Sequence, residues 1–322
     1  LLQEIWLASP RGFCAGVERA IEIVERALEV FGAPVYVRHE IVHNRRVVDR
    51  LRQKGAVFVP EVDDAPEGAV LIFSAHGVAR EVVARAKARG MRIIDATCPL
   101  VAKVHLEVQR HVQAGRQVIM IGHKGHPEVE GTMGQAPKGK VLLVETEADV
   151  ARLQVDDPER VAYVTQTTLS VDDAARIIAA LKKRFASIVG PRREDICYAT
   201  TNRQRAVKAL AQRCELVLVV GSPNSSNSNR LREVAERAGA RAVLLEGKEA
   251  LDFSMLSTIT RLGITAGASA PEDAVQEIVQ AIVKRTNASV HTLETVQESV
   301  RFSLPPILRD GAKRFAMRPQ SS

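Results

Sequence analysis

Arg11-Gly12-Phe13-Cys14-Ala15-Gly16-Val17-Glu18 is the stretch on which the fold turns. Ahead of it, Ile5-Trp6-Leu7-Ala8 is an apolar run of strand length. Behind it, Val17, Ala20, Ile21, Val24, Ala27 and Leu28 recur at helical spacing. Cys14 therefore falls between a strand's C-terminal end and a helix N-terminus, where parallel α/β sheets build their sites. A helix N-terminus also lowers a thiol's pKa and favours the thiolate, the form that ligates metal. The device is predicted twice more. Arg92-Ile93-Ile94-Asp95 runs through Ala96-Thr97-Cys98 into a helix carrying Val101, Val104 and Val108, with Pro99 suited to its first position. Asp195-Ile196-Cys197 leads into Ala206, Val207, Ala209 and Leu210, with Thr200 or Thr201 as the expected cap.

The chain beyond each cysteine helix is also repeated. An apolar strand ends in a polar loop, then come a short strand, another apolar strand, a second polar loop and a helix. The first loops hold His43, His126 and Ser225-Ser226-Asn227; the second loops hold His76, Thr167 and Ser269. From cysteine to first loop (His43, His126, Ser225) the distance is 29, 28 and 28 residues. A repeat of this size predicts three similar α/β domains rather than a solenoid. Continuous Val/Ile/Leu runs predict a small parallel, buried sheet of about four strands in each. The domains are expected at 12–97, 98–194 and 195–285, with 286–322 as a C-terminal extension. Within that extension 290–293 and 299–304 read as short extended pieces, and the basic residues 313–322 as a loose tail.

Composition narrows the function. The 322 residues include 45 Lys+Arg and 38 Asp+Glu, a net charge of +7. This charge reads first as a solvated basic surface and second as an attraction for acidic partners, phosphorylated substrates or an acidic protein. The basic residues are spread, with no aromatic–basic interleaving to suggest a nucleic-acid face. Four cysteines without a CxxC pair make neither a disulfide framework nor a zinc finger. No apolar run reaches the length of a membrane span and no leader pattern is present, so a cytoplasmic protein without membrane attachment is expected.

If the three repeats pack about a pseudo-threefold axis, their strand ends converge on Cys14, Cys98 and Cys197. Three thiolates suit zinc or an iron–sulfur cluster. A cubane cluster normally takes four cysteines, so three would leave one iron open to substrate. The surrounding helix N-termini and the His, Ser, Thr and Asn donors suit an anion. Glu128 and Glu130 compete as the proton source. Any one cysteine read alone is a small buried hydrophobe, whereas three at equivalent positions read as ligands. Cys214 lies outside those positions and reads as core. His39, His105, His111, His123 and His291 read as surface or structural.

Several blocks then resemble one family. They are Pro10 to Val17, Val42-His43-Asn44, Ser74 to Val78, Asp95 to Val101, Gly125 to Thr132, Thr165 to Ser170, Tyr198 to Gln204, Ser225 to Arg230 and Thr265 to Ser269. Together they resemble the LytB/IspH family of 4-hydroxy-3-methylbut-2-enyl diphosphate reductases, from about residue 5 to about 285. The resemblance implies a trefoil of three α/β domains around one 4Fe-4S cluster on Cys14, Cys98 and Cys197. It implies reductive loss of the substrate's allylic hydroxyl to give isopentenyl and dimethylallyl diphosphate, the last step of the methylerythritol phosphate route to isoprenoids. By the same resemblance, His43, His76, His126, Ser225, Ser226, Asn227 and Ser269 hold the diphosphate. Glu128 supplies protons with help from Thr167. Flavodoxin or ferredoxin, both typically acidic, is the implied electron donor. A monomer or weak oligomer is expected. The alternatives are a three-cysteine dehydratase without net reduction and a non-catalytic iron–sulfur sensor.

Overall fold

A computed structural model of the chain describes residues 2–309. In chain order its elements are β1 (Glu4–Ser9), α1 (Ala15–Phe31), β2 (Val35–Arg38), α2 (Arg45–Gln53), β3 (Ala56–Val59), β4 (Val70–Phe73), α3 (Arg80–Ala88), β5 (Arg92–Asp95), α4 (Pro99–Gln113), β6 (Gln117–Ile121), α5 (Pro127–Met133) and β7 (Val141–Val144). There follow α6 (Glu147–Arg152), β8 (Val161–Thr165), α7 (Val171–Arg184), α8 (Tyr198–Ala211), β9 (Leu216–Val220), α9 (Ser226–Arg237), β10 (Arg241–Leu245), β11 (Arg261–Ala266), α10 (Glu272–Thr286), β12 (Ser289–Glu294) and α11 (Pro306–Arg309).

The strands form three sheets, ordered β3-β2-β4-β5, β7-β6-β8 and β10-β9-β11-β1-β12. Every ladder is parallel, as expected of strands that read as unbroken apolar runs. In each sheet the short strand of the repeat takes an edge. In the first sheet the fourth strand, β5, hands the chain to the next cysteine, Cys98. By the same rule β1, which leads to Cys14, pairs with β11 of the third repeat, with Ile5 opposite Leu262 and Leu7 opposite Ile264.

The expected strand before Cys197 does not form. Only an isolated bridge, Ala162 to Val189, stands in its place. Gly190-Pro191-Arg192-Arg193-Glu194 explains this, because Pro191 has no N–H for a ladder and the charges cannot be buried. Of the two extended pieces expected near the C-terminus, 290–293 lies within β12, which pairs along the whole of β1. Residues 299–304 are irregular, as befits a segment running into Pro305-Pro306. The expected tail at 313–322 lies outside the described residues.

The chain divides into two compact units. The first comprises 2–14, 167–175 and 196–300 and contains the five-stranded sheet. Alternate side chains of β9 face opposite cores there. Leu216, Leu218 and Val220 pack with Ile5, Leu7, Ile264 and Ile278, while Val217 and Val219 pack with Ala206, Leu210 and Leu231. The second unit comprises 15–166, 176–195 and 301–309 and contains the other two sheets. Val62, Leu71, Phe73 and Ala86 form one of its cores, and Val104, Val108, Val118, Met120 and Val164 another.

Candidate functional site

In the second unit the strand ends gather three histidines. His43 follows β2 and precedes Asn44, the N-cap of α2, whose side chain accepts from the Val47 N–H at 3.2 Å. His76 lies in the turn after β4. His126 is the N-cap of α5, and its Nδ1 accepts from the Glu128 N–H at 3.2 Å. The ring centroids of His43 and His76 are 4.1 Å apart, and His126 lies edge-on to both at 5.6 and 5.8 Å. The turn bearing His76 is held by Gly77, at φ +77°, whose missing side chain leaves room for His105 of α4; a Cβ there would meet His105 Cε1 at 2.6 Å. His105 is thus structural, as read from the sequence.

Burial and the neighbouring imidazoles push the His76 pKa well below the ordinary histidine value. Burial, then His43 and His123, lowers that of His126 to about 3. Burial and the neighbouring imidazoles thus favour the uncharged form of His76 and His126, and a polyanion beside them would oppose that. Among the described residues no group of three His, Cys, Asp or Glu side chains is arranged to hold a metal ion.

The first turn of α5 separates two carboxyls that the sequence leaves competing. Glu128 is 3% exposed, whereas Glu130 faces solvent. The helix begins at Pro127, inside the stretch that reads as loop, because proline at a first helical position gives up no needed N–H. Cys98 is the N-cap of α4, with Pro99 next as expected, and its N–H donates to the Ala75 carbonyl at 3.0 Å.

In the first unit Cys197 is itself the N-cap of α8. Neither Thr200 nor Thr201 caps the helix, because the thiol takes that position and accepts from the Thr200 N–H at 3.4 Å. A chain of hydrogen bonds then leads to the Cys14 turn. Cys197 Sγ meets Thr200 Oγ1 at 3.2 Å, which accepts from Asn227 Nδ2 at 3.4 Å. Asn227 Oδ1 accepts from the Ala268 N–H at 2.9 Å, and the Ala268 carbonyl from the Cys14 N–H at 3.3 Å. Ser225 caps α9 by accepting from the Ser228 N–H at 3.3 Å. Ser226 Oγ accepts from Thr168 at 3.1 Å, and the Thr167 carbonyl accepts from the Cys197 N–H at 3.1 Å. Thr167, Ser225, Asn227 and Ser269 are all buried.

By their chemistry, though not as an assembled site, the thiols of this chain suit an iron–sulfur cluster. Cys14, Cys98 and Cys197 are partly exposed cysteines outside any disulfide, each at the start of a helix. The fourth cysteine, Cys214, is core as expected, and burial pushes its thiol up to about 12. No fourth thiolate is therefore on offer.

Sequence reading did not single out Arg203 or Lys103. Arg203 is wholly buried. Lys103 Nζ reaches the Asp195 carboxylate at 2.9 Å and the Arg193 carbonyl at 2.7 Å, fixing the approach to Cys197 in place of the absent strand. A lone Arg or Lys at helical spacing carries no signal that separates it from a solvated face.

Parallel sheets whose strand ends lead to cysteines and histidines at helix starts define an α/β protein. The chain belongs to the LytB protein family, whose profile matches residues 5–283. The 4-hydroxy-3-methylbut-2-enyl diphosphate reductase of Bordetella pertussis is 64% identical over 302 residues, spanning 94% of this chain and 93% of that protein. The enzyme of that name from Cereibacter sphaeroides is 61% identical over 310 residues, spanning 96% and 97%. Among solved structures, the E-1-hydroxy-2-methyl-but-2-enyl-4-diphosphate reductase from Plasmodium falciparum superposes with a TM-score of 0.95 at 39% identity, covering 98% of this chain and 100% of the other. A further (E)-4-hydroxy-3-methyl-but-2-enyl diphosphate reductase, described as the terminal enzyme of the non-mevalonate pathway, gives 0.64 at 32% identity over 88% of this chain and 100% of its own.

Proposed function

We propose that the protein reduces (E)-4-hydroxy-3-methylbut-2-enyl diphosphate to isopentenyl and dimethylallyl diphosphate. The observation that carries this reading is the cluster of three histidines beside the buried Glu128, in a chain of this family. The three repeats, 12–97, 98–194 and 195–285, form a trefoil followed by the extension 286–322. Cys14, Cys98 and Cys197 hold one 4Fe-4S cluster. When bound, that cluster supplies electrons and a metal site for the leaving hydroxyl.

The chain's own residues do the rest. His43, His76, His126, Ser225, Ser226, Asn227 and Ser269 are the groups that bind the diphosphate. Neutral donors and the N-termini of α8 and α9 suit a polyanion without a permanent cationic partner. Two protons are consumed with the two electrons, one leaving with the hydroxyl as water and one quenching the allylic carbon; Glu128 delivers them, and the Thr167 hydroxyl helps to relay them. Oxidised donor is the by-product, which calls for flavodoxin or ferredoxin, acidic proteins suited to a chain of net charge +7. No helix among the described residues is long and apolar enough to cross a membrane. A cytoplasmic monomer or weak oligomer, free of nucleic acid and membrane, completes the reading.

The test is iron-57 Mössbauer spectroscopy with and without the hydroxylated diphosphate, beside turnover of two variants. One iron site should change on ligand addition. Glu128→Gln should keep that change and lose about 10²–10⁴-fold in turnover, while the exposed Glu130→Gln should stay near wild type. A cluster blind to the ligand, or a fully active Glu128→Gln, would overturn the assignment.

A further inference from the structure

Arg203 has no exposed surface, yet it is charged, and every one of its nitrogens is engaged. Nε and Nη2 donate to the Gly12 carbonyl at 2.9 and 2.7 Å, and Nη2 to the Phe13 carbonyl at 3.1 Å. Nη1 donates to the Ala199 carbonyl at 3.1 Å. These carbonyls belong to the two residues before Cys14 and to the first turn of the helix that Cys197 caps. The balancing charge comes from far along the chain. Glu298, 16% exposed, takes Nη1 on Oε1 at 3.0 Å and Nη2 on Oε2 at 3.3 Å, and Asn202 Nδ2 donates to Oε1 at 3.0 Å. Glu298 lies beyond residue 283, where the family profile ends.

Glu298 is brought there by β12. That strand ends at Glu294 beside Ser9, and Thr295 then ties back to the Ser9 carbonyl through its N–H and its Oγ1, both at 2.9 Å. The irregular segment after it passes the Cys14 turn. Gly12 makes this approach possible. Its φ is +64° and a Cβ would meet the Ala270 carbonyl at 3.1 Å, so the turn has one conformation in which both carbonyls face the guanidinium.

The same arrangement recurs in the second unit at another cysteine. Arg19 Nη1 donates to the carbonyl of Thr97, the residue before Cys98, at 3.1 Å, and its Nε donates to the Ser303 carbonyl at 2.8 Å. In each case an arginine grips the backbone just ahead of a cysteine, and the segment 295–303 grips the arginine.

We propose that residues 295–303 act as a retaining strap, in which Glu298 locks Arg203 onto the Gly12 and Phe13 carbonyls and so fixes Cys14 in its ligating position. Arg203 and Glu298 are positioning residues, acting on the group that Cys14 holds only through the backbone. This inference rests on the proposed role of Cys14, and the experiment separates the two. A merely structural ion pair would, when broken, lower stability and loosen all the cysteines alike. A strap acts first on the turn it holds.

The measurement is the alkylation rate of each cysteine in metal-free protein, resolved by mass spectrometry, for wild type, Glu298→Gln, Glu298→Ala and Arg203→Lys. Glu298→Gln keeps the shape and removes the charge, so it remains measurable if Arg203→Lys folds poorly. Loss of one charge-assisted contact should speed Cys14 alkylation about tenfold and leave Cys98 unchanged. In cluster-loaded protein the same variants should lose iron to a chelator correspondingly faster. Equal acceleration at Cys14 and Cys98, or an unchanged Cys14 rate in both Glu298 variants, would overturn the strap. Selective Cys14 exposure in a protein that takes up no cluster would uphold the strap and sink the proposed function instead.

Discussion

The imidazoles of His43 and His76 lie with ring centroids 4.1 Å apart and planes tilted by 31°, although they come after different strands, β2 and β4. The two strands are paired neighbours, with Arg38 opposite Phe73, so their loops leave the sheet side by side. Two rings this close cannot both carry a proton cheaply, and burial makes it harder for His76. A diphosphate bound beside them would invert the balance, because its charge favours the imidazolium form. Binding of the diphosphate near pH 7 should therefore take up protons. Calorimetry in buffers of different ionisation enthalpy should show a buffer-dependent heat, and affinity should weaken as pH rises. In His126→Asn both effects should shrink. Heats that do not depend on the buffer would mean the histidines act as neutral donors throughout.

The same depressed groups set the acid limit of the ligand-free protein. His126 titrates at about 3 in the fold, against an ordinary value of about 6.5 in the unfolded chain. Between those values the unfolded state holds more protons, so stability rises with pH there. This contribution is complete above about 6.5 and is lost as pH falls toward the folded value. His126→Gln should show a smaller drop in melting temperature between pH 7.5 and pH 5.5 than wild type does. An equal drop would place the acid sensitivity elsewhere.

The seat of α5 against the His76 turn admits no side chain at Gly131. A Cβ there would meet the Gly77 carbonyl carbon and oxygen at 3.1 Å and the Val78 nitrogen at 3.2 Å, all backbone atoms with little freedom to yield. Gly131→Ala should push His126 and Glu128, on the same short helix, away from His76. A loss of about 1–3 kcal/mol in urea unfolding is expected, with weaker diphosphate binding even where the variant folds. Wild-type binding by Gly131→Ala would show that the turn can retreat without disturbing the histidines.

The repeat was legible in the sequence because its strands are buried on both faces and read as plain apolar runs, and because cysteine and histidine are rare enough for their spacing to stand out. Thus β6, β8 and β9, all wholly buried, and the turns at Cys14, Cys98, His43, His76 and His126 could be placed from residues alone. The hidden part was nonlocal. That β1 closes the sheet of the third repeat depends on its partner, 257 residues away at the pairing Ile5–Leu262. That Glu128 is buried and Glu130 exposed depends on where α5 starts. Arg203 looked like any helical arginine, since its partners lie 191 and 95 residues distant. Analogy with the other two turns predicts a strand before Cys197, but a proline and a charged run occupy its place.

Ser228 fills the gap between two strand ends, and that gap can be tested by exchange. It is fully buried in α9, where its Oγ donates to Ser225 Oγ at 3.0 Å. It lies against Gly221, after β9, and Gly267, after β11. A Cβ on Gly267 would meet Ser228 Oγ at 2.0 Å, and one on Gly221 would meet it at 2.1 Å. Glycine is therefore required at both positions by contact with Ser228, at Gly267 chiefly with its hydroxyl and at Gly221 also with its Cβ at 2.7 Å, with no left-handed φ involved. Gly267→Ala should cost about 1–3 kcal/mol by overpacking and displace Ser225, the cap of α9. Ser228→Ala removes the hydroxyl and leaves its Cβ at 3.1 Å from the new methyl group. The double variant should therefore recover most of the loss, giving a coupling energy well outside the additive range of about 0.5 kcal/mol. Additive losses in the cycle would mean that Gly267 is needed for the path of the backbone toward Ala268, and not for the room it leaves to Ser228.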